Sequence, residues 1–135
     1  MSDGTQAETF LAIAEESLAG AVSEYANGRY RNCANRAYYA VFQAAIEALR
    51  RNGTGPSPRD RQWRHNAVRA QFSEQLINRR KLYPSALRGG FARATFLRVK
   101  ADYTPDKVSE AEARHVLRRG QDFYQAIRNP GGSVP

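Results

Sequence analysis

A chain of 135 residues fits one folded domain and leaves little room for a second. Its single cysteine, Cys33, excludes an internal disulfide, and no run of apolar residues is long enough to predict a membrane span. The net charge of +8 arises in one block, since residues 50–100 carry thirteen basic groups and two acidic ones. Such a block favours a polyanionic partner such as RNA, although a solvated basic face would have the same composition.

Apolar residues recur at steps of three and four along most of the chain, which predicts helices. Ala, Leu, Arg and Glu are plentiful and β-branched residues are sparse, which also favours helices over strands. Asn27-Gly28 and Asn52-Gly53 are typical helix ends. Ser109 and Glu112 have the spacing of a capping box at a helix start. The predicted helices cover roughly residues 6–26, 30–51, 60–80, 85–103 and a final segment from Ser109 to about 128.

Five helices with short connections predict an all-α fold, an antiparallel bundle of four to five helices. We expect a disordered N-terminus over residues 1–5, the helical domain over 6–128 and a disordered tail over 129–135. The first residues lack the basic and apolar regions of a secretory signal, so we expect a cytoplasmic protein that does not bind a membrane. No glycine-rich phosphate loop and no clustered metal ligands occur, so we expect neither a cofactor nor a metal site.

The fourth predicted helix carries charge where its apolar stripe should continue. Leu87, Phe91 and Ala94 lie on one face, and Arg98 and Asp102 follow in the same line. Residues four apart share a helix face, so these two can form an ion pair. Burying a guanidinium is costly unless it is paired, which fits either a functional arginine or a structural ion pair at a helix end.

Several segments resemble the HEPN family of bacterial and archaeal proteins. The run from Tyr30 to Phe42, which contains Arg-Ala-Tyr-Tyr-Ala-Val-Phe, resembles the family's second-helix signature. The resemblance continues through His65 with Phe72 and through the Arg98 to Tyr103 ending, Arg-x-x-x-Asp-Tyr, of one branch. It closes with the Ser109 capping box and the helix that follows, so it covers most of the chain.

This resemblance implies a function directed at RNA. Many HEPN proteins dimerise, many are metal-independent ribonucleases, and several are toxins neutralised by a nucleotidyltransferase-type antitoxin protein. The resemblance therefore implies a homodimeric ribonuclease toxin or a defence component. The alternative is a non-catalytic HEPN module that binds nucleotide, RNA or a nucleotidyltransferase-type partner.

The family's catalytic signature is an arginine followed, after four to six residues, by a histidine. Arg98 matches the arginine, but the three possible histidine positions hold Tyr103, Thr104 and Pro105. Tyrosine is a poor base at neutral pH, whereas histidine titrates near it. By resemblance Arg98 binds the scissile phosphate, Asp102 orients it and Tyr103 positions the substrate.

Other residues remain open to two interpretations. Arg59 and His65 have the catalytic spacing but stand where the family does not place its site, so His65 is interpreted as a helix-start or interface residue. The family's polar second-helix residues imply that Asn32 or Asn35, with Arg36, lies near Arg98; alternatively, Arg36 pairs with a first-helix glutamate such as Glu24. The expected RNA-binding residues are Asn32, Asn35, Arg36, Arg59, Arg61, Arg64, His65, Arg69, Arg79, Arg80 and Lys81.

Overall fold

Five α-helices build the part of the chain that the computed structural model describes, residues 9–130. No strand occurs within these residues, so the predicted all-helical class is confirmed. One helix continues directly into a π-helical segment, a form in which each turn is wider than in an α-helix. The elements are α1 (Phe10–Ala26), α2 (Tyr30–Arg51), α3 (His65–Gln71) with its π-helical continuation (Phe72–Arg79), α4 (Ala86–Tyr103) and α5 (Glu110–Arg128).

Capping interactions set where two of the helices begin. The Thr9 side chain accepts a hydrogen bond of 3.0 Å from the Ala12 amide, so α1 begins at Phe10 and not at the predicted residue 6. The capping box predicted at Ser109 and Glu112 is confirmed, with both of its hydrogen bonds at 3.0 Å. Residues 6–8, the predicted disordered residues 1–5 and residues 131–135 of the predicted tail lie outside the described part.

The predicted start of the third helix, near residue 60, is also wrong. Arg61 has a φ of 59°, in the left-handed region that a helix does not contain. Arg64 is extended, with a ψ of 138°, so the helix begins only at His65. This late start matters because it places a histidine at the first position of α3.

Helix α2 forms the centre of the bundle and packs against α1, α4 and α5. Its buried face includes many small residues, which allow neighbouring helices to approach closely. Gly120 of α5 lies against this face, where an added Cβ would stand 3.7 Å from the Ala37 carbonyl oxygen. The close approach therefore needs small residues on both helices.

Aromatic rings join the π-helical segment, α4 and α5 to one another. Phe72, Phe91 and Phe123 come from the π-helical segment, α4 and α5, and their ring centres lie 5.0–6.4 Å apart. All three are fully buried. Such rings each remove a large apolar area from water, so they fix α4 relative to α5 and the π-helical segment. No helix among the described residues is long and apolar enough to cross a membrane.

Candidate functional site

Arg98 lies near the C-terminal end of α4, in line with a buried apolar stripe. Leu87, Phe91 and Ala94 of that stripe are buried, as predicted, and the Arg98 side chain is 18% exposed. Its guanidinium carbon stands 5.1 Å from the centre of the Tyr38 ring and 5.9 Å from that of Tyr103. These distances are those of cation–π contacts, which hold a cation without neutralising it.

Asp102 pairs with Arg98 and is itself held by α2. The Arg98 Nε lies 3.7 Å from Asp102 Oδ2, so the predicted ion pair is confirmed. Asn35 donates to both carboxylate oxygens of Asp102, at 3.0 and 3.1 Å. The Arg98 Nε is too far from the carboxylate for a hydrogen bond and has no other hydrogen-bond partner among the described residues.

His65 joins this group from the first position of α3. Its Nδ1 is hydrogen-bonded to the Tyr38 hydroxyl, and its ring stacks on Phe42 with centres 4.4 Å apart. The Tyr39 ring packs edge-on against His65 at 6.1 Å. We name the Arg98 cluster for the seven side chains that meet here, which are Asn35, Tyr38, Tyr39, His65, Arg98, Asp102 and Tyr103.

The surroundings of His65 and Tyr38 keep both groups uncharged at neutral pH. Burial lowers the pKa of His65, and the positive charge of Arg98 lowers it further. Burial raises the pKa of Tyr38 to about 12, against the opposing charges of Arg98 and Arg69. At pH 7 the cluster therefore contains a neutral imidazole bonded to a neutral phenol, beside a permanent cation.

A further arginine, which no pattern in the sequence singles out, fixes the end of α4. Arg31 of α2 donates to four backbone carbonyls at this end, those of Lys100, Ala101, Thr104 and Asp106. The last carbonyls of a helix have no hydrogen-bond partner within the helix, and they lie at the negative end of its dipole. A cation there is therefore favoured both as a hydrogen-bond donor and by its charge. The C-terminal part of α4, which carries Arg98 and Asp102, is thus held against α2 by these hydrogen bonds.

The polar residues of α2 divide between two faces. Asn35 reaches the Arg98 cluster, as the resemblance implied, but Asn32 donates to Glu24 at 3.3 Å. The Arg36 Cδ lies 3.7 Å from the Cβ position of Gly20 in α1. The expectation that Arg36 lies near Arg98 is therefore wrong. Successive residues of a helix point about 100° apart, so Arg36 faces α1 while Asn35 faces the Arg98 cluster.

The predicted basic residues are exposed along and beside α3 and its π-helical continuation. All seven are at the surface: Arg59, Arg61, Arg64, Arg69, Arg79, Arg80 and Lys81. Arg69 lies one turn after His65 and is near enough to influence Tyr38, whereas Arg64 pairs with Asp60. His65 thus belongs with Arg98 and not with Arg59, which stands exposed in the preceding turn.

An apolar stripe lies on the outer face of α4 beside the cluster. Phe96 is 56% exposed, Val99 43% and Tyr103 70%, and their spacing of three and four residues places them on one face. A hollow of about 510 Å³ lies elsewhere, between the end of α2 and Trp63, and none of the predicted site residues lines it. The Arg98 cluster is therefore a partly open surface edged by exposed apolar side chains.

Comparison with known proteins identifies the family. The HEPN domain family matches residues 7–129, nearly the whole chain. The chain belongs to the HEPN family. A relative from Methanocaldococcus jannaschii, named "Putative toxin MJ0605", is 31% identical over 122 residues, which cover 90% of this chain and 85% of the relative. This HEPN protein is thus similar over most of its length to a protein named as a toxin.

Proposed function

We propose that this HEPN protein is a toxin that binds RNA and cleaves it without a metal ion. The similarity to a protein named as a toxin and the match to the HEPN family support the assignment as a toxin. The observation that carries the proposal is Arg98, a permanent cation held between two aromatic rings at a partly open surface. A defence component built on the same domain would use the same site.

In this proposal Arg98 binds the scissile phosphate. A guanidinium forms paired hydrogen bonds to phosphate oxygens and stabilises the extra negative charge that develops as the phosphorus becomes pentacoordinate. Asp102 orients the guanidinium, and Asn35 in turn holds Asp102. Tyr103, largely exposed beside Arg98, positions the substrate by contact with a sugar or a base.

The exposed basic residues along α3 supply the electrostatic attraction. They run from the turn before α3 to Lys81, just beyond the π-helical segment, so they offer several separate contacts to one strand. Contacts of this kind bind phosphates without regard to base sequence. Arg69 would connect this track to the Arg98 cluster.

Two protein partners belong to the proposal. A second copy of the chain would pack against Phe96 and Val99 of the apolar stripe, bringing two Arg98 clusters to one shared cleft where Tyr103 stays open to the substrate. Exposed apolar faces of this kind are typical of interaction sites. A nucleotidyltransferase-type antitoxin would then neutralise the homodimer.

Replacement of Arg98 tests the proposal. We expect R98A to lose cleavage of a short single-stranded RNA by about 100-fold or more, in buffer with EDTA, because the phosphate loses its cation. Arg128→Ala is the matched control, since Arg128 is an exposed arginine at the end of α5 beside a separate hollow. R98A cleavage equal to that of R128A would contradict the assigned role.

A specific observation favours a second candidate, a non-catalytic HEPN module. Tyr103 stands where the family's catalytic signature would place its first possible histidine. A module of this kind would bind RNA or nucleotide through Arg98 and leave it intact. Wild-type protein that binds RNA in a salt-dependent manner, yet leaves it uncut with or without EDTA, would establish this candidate.

A further inference from the structure

We infer that His65 is the group that removes the 2′-hydroxyl proton during RNA cleavage, and that Tyr38 holds its ring in position for this step. The inference rests on the proposed ribonuclease function and assigns a residue to its missing step. Metal-free cleavage uses the 2′-hydroxyl as nucleophile, so it needs a base, and histidine suits that task at neutral pH. The three positions that follow Arg98 after four to six intervening residues hold no histidine, and His115 is an exposed residue of α5.

Shared contacts place His65 beside Arg98. The Tyr38 ring lies under the Arg98 guanidinium at 5.1 Å, and its hydroxyl is hydrogen-bonded to His65 Nδ1. The pKa of His65 is lowered by burial and also by the nearby charge of Arg98. A phosphate bound at Arg98 would thus have its neighbouring ribose within the same small group of side chains.

The hydrogen bond at Nδ1 leaves the other ring nitrogen, Nε2, for chemistry. When Nδ1–H donates to the Tyr38 oxygen, Nε2 keeps its lone pair and can accept a proton. The ring is also fixed in orientation by stacking on Phe42, with the two planes 14° apart. A base that is held by packing and by a hydrogen bond at its other ring nitrogen resembles the arrangement that orients catalytic histidines in other enzymes.

The charged and titratable groups around His65 agree with a base role. Tyr38 and Tyr39 face it from α2, Arg98 from α4, and Arg69 lies one turn along α3. The neighbouring cations disfavour the imidazolium form, so the imidazole is neutral before the reaction. Asp102 is directed to Arg98 and Asn35 instead.

Cleavage proceeds by attack of the 2′-hydroxyl on the adjacent phosphate. The 2′-hydroxyl gives its proton to His65 Nε2, and its oxygen forms a bond to phosphorus. The bond from phosphorus to the 5′ oxygen breaks, and that oxygen takes a proton from water. The products are a 2′,3′-cyclic phosphate and a 5′-hydroxyl, and the imidazolium returns its proton to solvent.

The test compares two histidine variants on one short RNA of mixed sequence, with cleavage and binding measured separately. We expect His65→Gln to slow cleavage by about 100-fold or more and to change the RNA dissociation constant by less than about 3-fold. His115→Gln, which removes the other histidine, should behave as wild type. Tyr38→Phe should slow cleavage by about 10-fold or more, because the His65 ring loses the hydrogen bond that positions it.

Failure of the His65 assignment can be distinguished from failure of the proposed ribonuclease function. If H65Q cleaves as wild type while R98A does not, the inference is overturned and the ribonuclease proposal stands. If the wild-type chain cleaves no RNA, both are overturned. Nitrogen-15 NMR of the wild-type imidazoles gives a readout that does not depend on a variant folding: His65 should be neutral and protonated on Nδ1 at pH 7, and the Nε2-protonated or the charged form would overturn the inference.

Discussion

The guanidinium of Arg98 lies over the ring of Tyr38, and the hydroxyl of that same ring is bonded to His65. A single side chain of α2 therefore positions one residue from α4 and one from α3. Tyr38 is itself 1% exposed and stacks with Phe42, so its position is set by the core. A site whose supporting residue belongs to the core keeps its geometry without a ligand.

Asp102→Asn should separate orientation from binding. The substitution keeps the shape of the side chain and removes one negative charge beside the phosphate, so we expect RNA affinity to stay equal or rise. Cleavage should slow by about 10-fold, because the Arg98 guanidinium loses its charged anchor. Rates and dissociation constants measured together check this, with Asp122→Asn on the exposed face of α5 as control. Weaker binding with unchanged cleavage would show that Asp102 does not act on Arg98.

The exposed basic residues at the far end of the π-helical segment should act through charge alone. Replacing Arg79, Arg80 and Lys81 together with alanine should weaken RNA binding at low salt and leave the cleavage rate of saturated enzyme within about 2-fold. If all three contact phosphates, the slope of log affinity against log salt should become less steep by about 2, since each contact to a single strand contributes roughly 0.7. An unchanged slope would remove these residues from the RNA track.

The sequence patterns located the helices well because periodicity and capping are local properties. The stripe of Leu87, Phe91 and Ala94 predicted the buried face of α4, and it placed Arg98 and Asp102 in line with that face. The start of α3 was missed because the left-handed φ of Arg61 leaves no clear signal in an arginine. The resemblance pointed to Arg98 and to Asn32 or Asn35 near it, but it did not place His65 beside them.

The composition of the Arg98 cluster depended on tertiary structure. His65 and Arg98 belong to different helices and meet only because both contact Tyr38. Asn32 and Asn35 are both polar residues of α2, yet one contacts Glu24 and the other Asp102. The sequence does not indicate which helix a polar residue of α2 will face. Its partner is decided by how α1 and α4 pack on α2.

The capping box of α5 should make stability depend on pH in the acid range. The Ser109 amide and the Lys100 ammonium lower the pKa of Glu112 below its ordinary value of 4.5. A group with a lower pKa in the folded state stabilises the protein above its unfolded pKa, and this contribution is lost as the pH falls through the folded pKa. The free energy of unfolding should therefore decline below about pH 4.5, and less steeply in Glu112→Gln, as measured by urea denaturation across pH 3–7. Identical slopes in the two proteins would contradict this role.

Phe96→Asp should disrupt the proposed homodimer and the shared cleft with it. Phe96 is the phenylalanine of the exposed stripe on α4, and the Arg93 guanidinium carbon lies 5.5 Å from the centre of its ring. A carboxylate at the centre of an apolar interface would be buried without a partner, so we expect the mass in light scattering to fall from twice 15.1 kDa to that of one chain. Val22→Asp is the matched control, because Val22 is a similarly exposed apolar residue on α1. If two copies are needed to complete one cleft, RNA cleavage should fall in F96D and not in V22D. A wild-type protein that is monomeric at tens of micromolar, or a dimer that survives F96D, would show that this face of α4 does not join two chains.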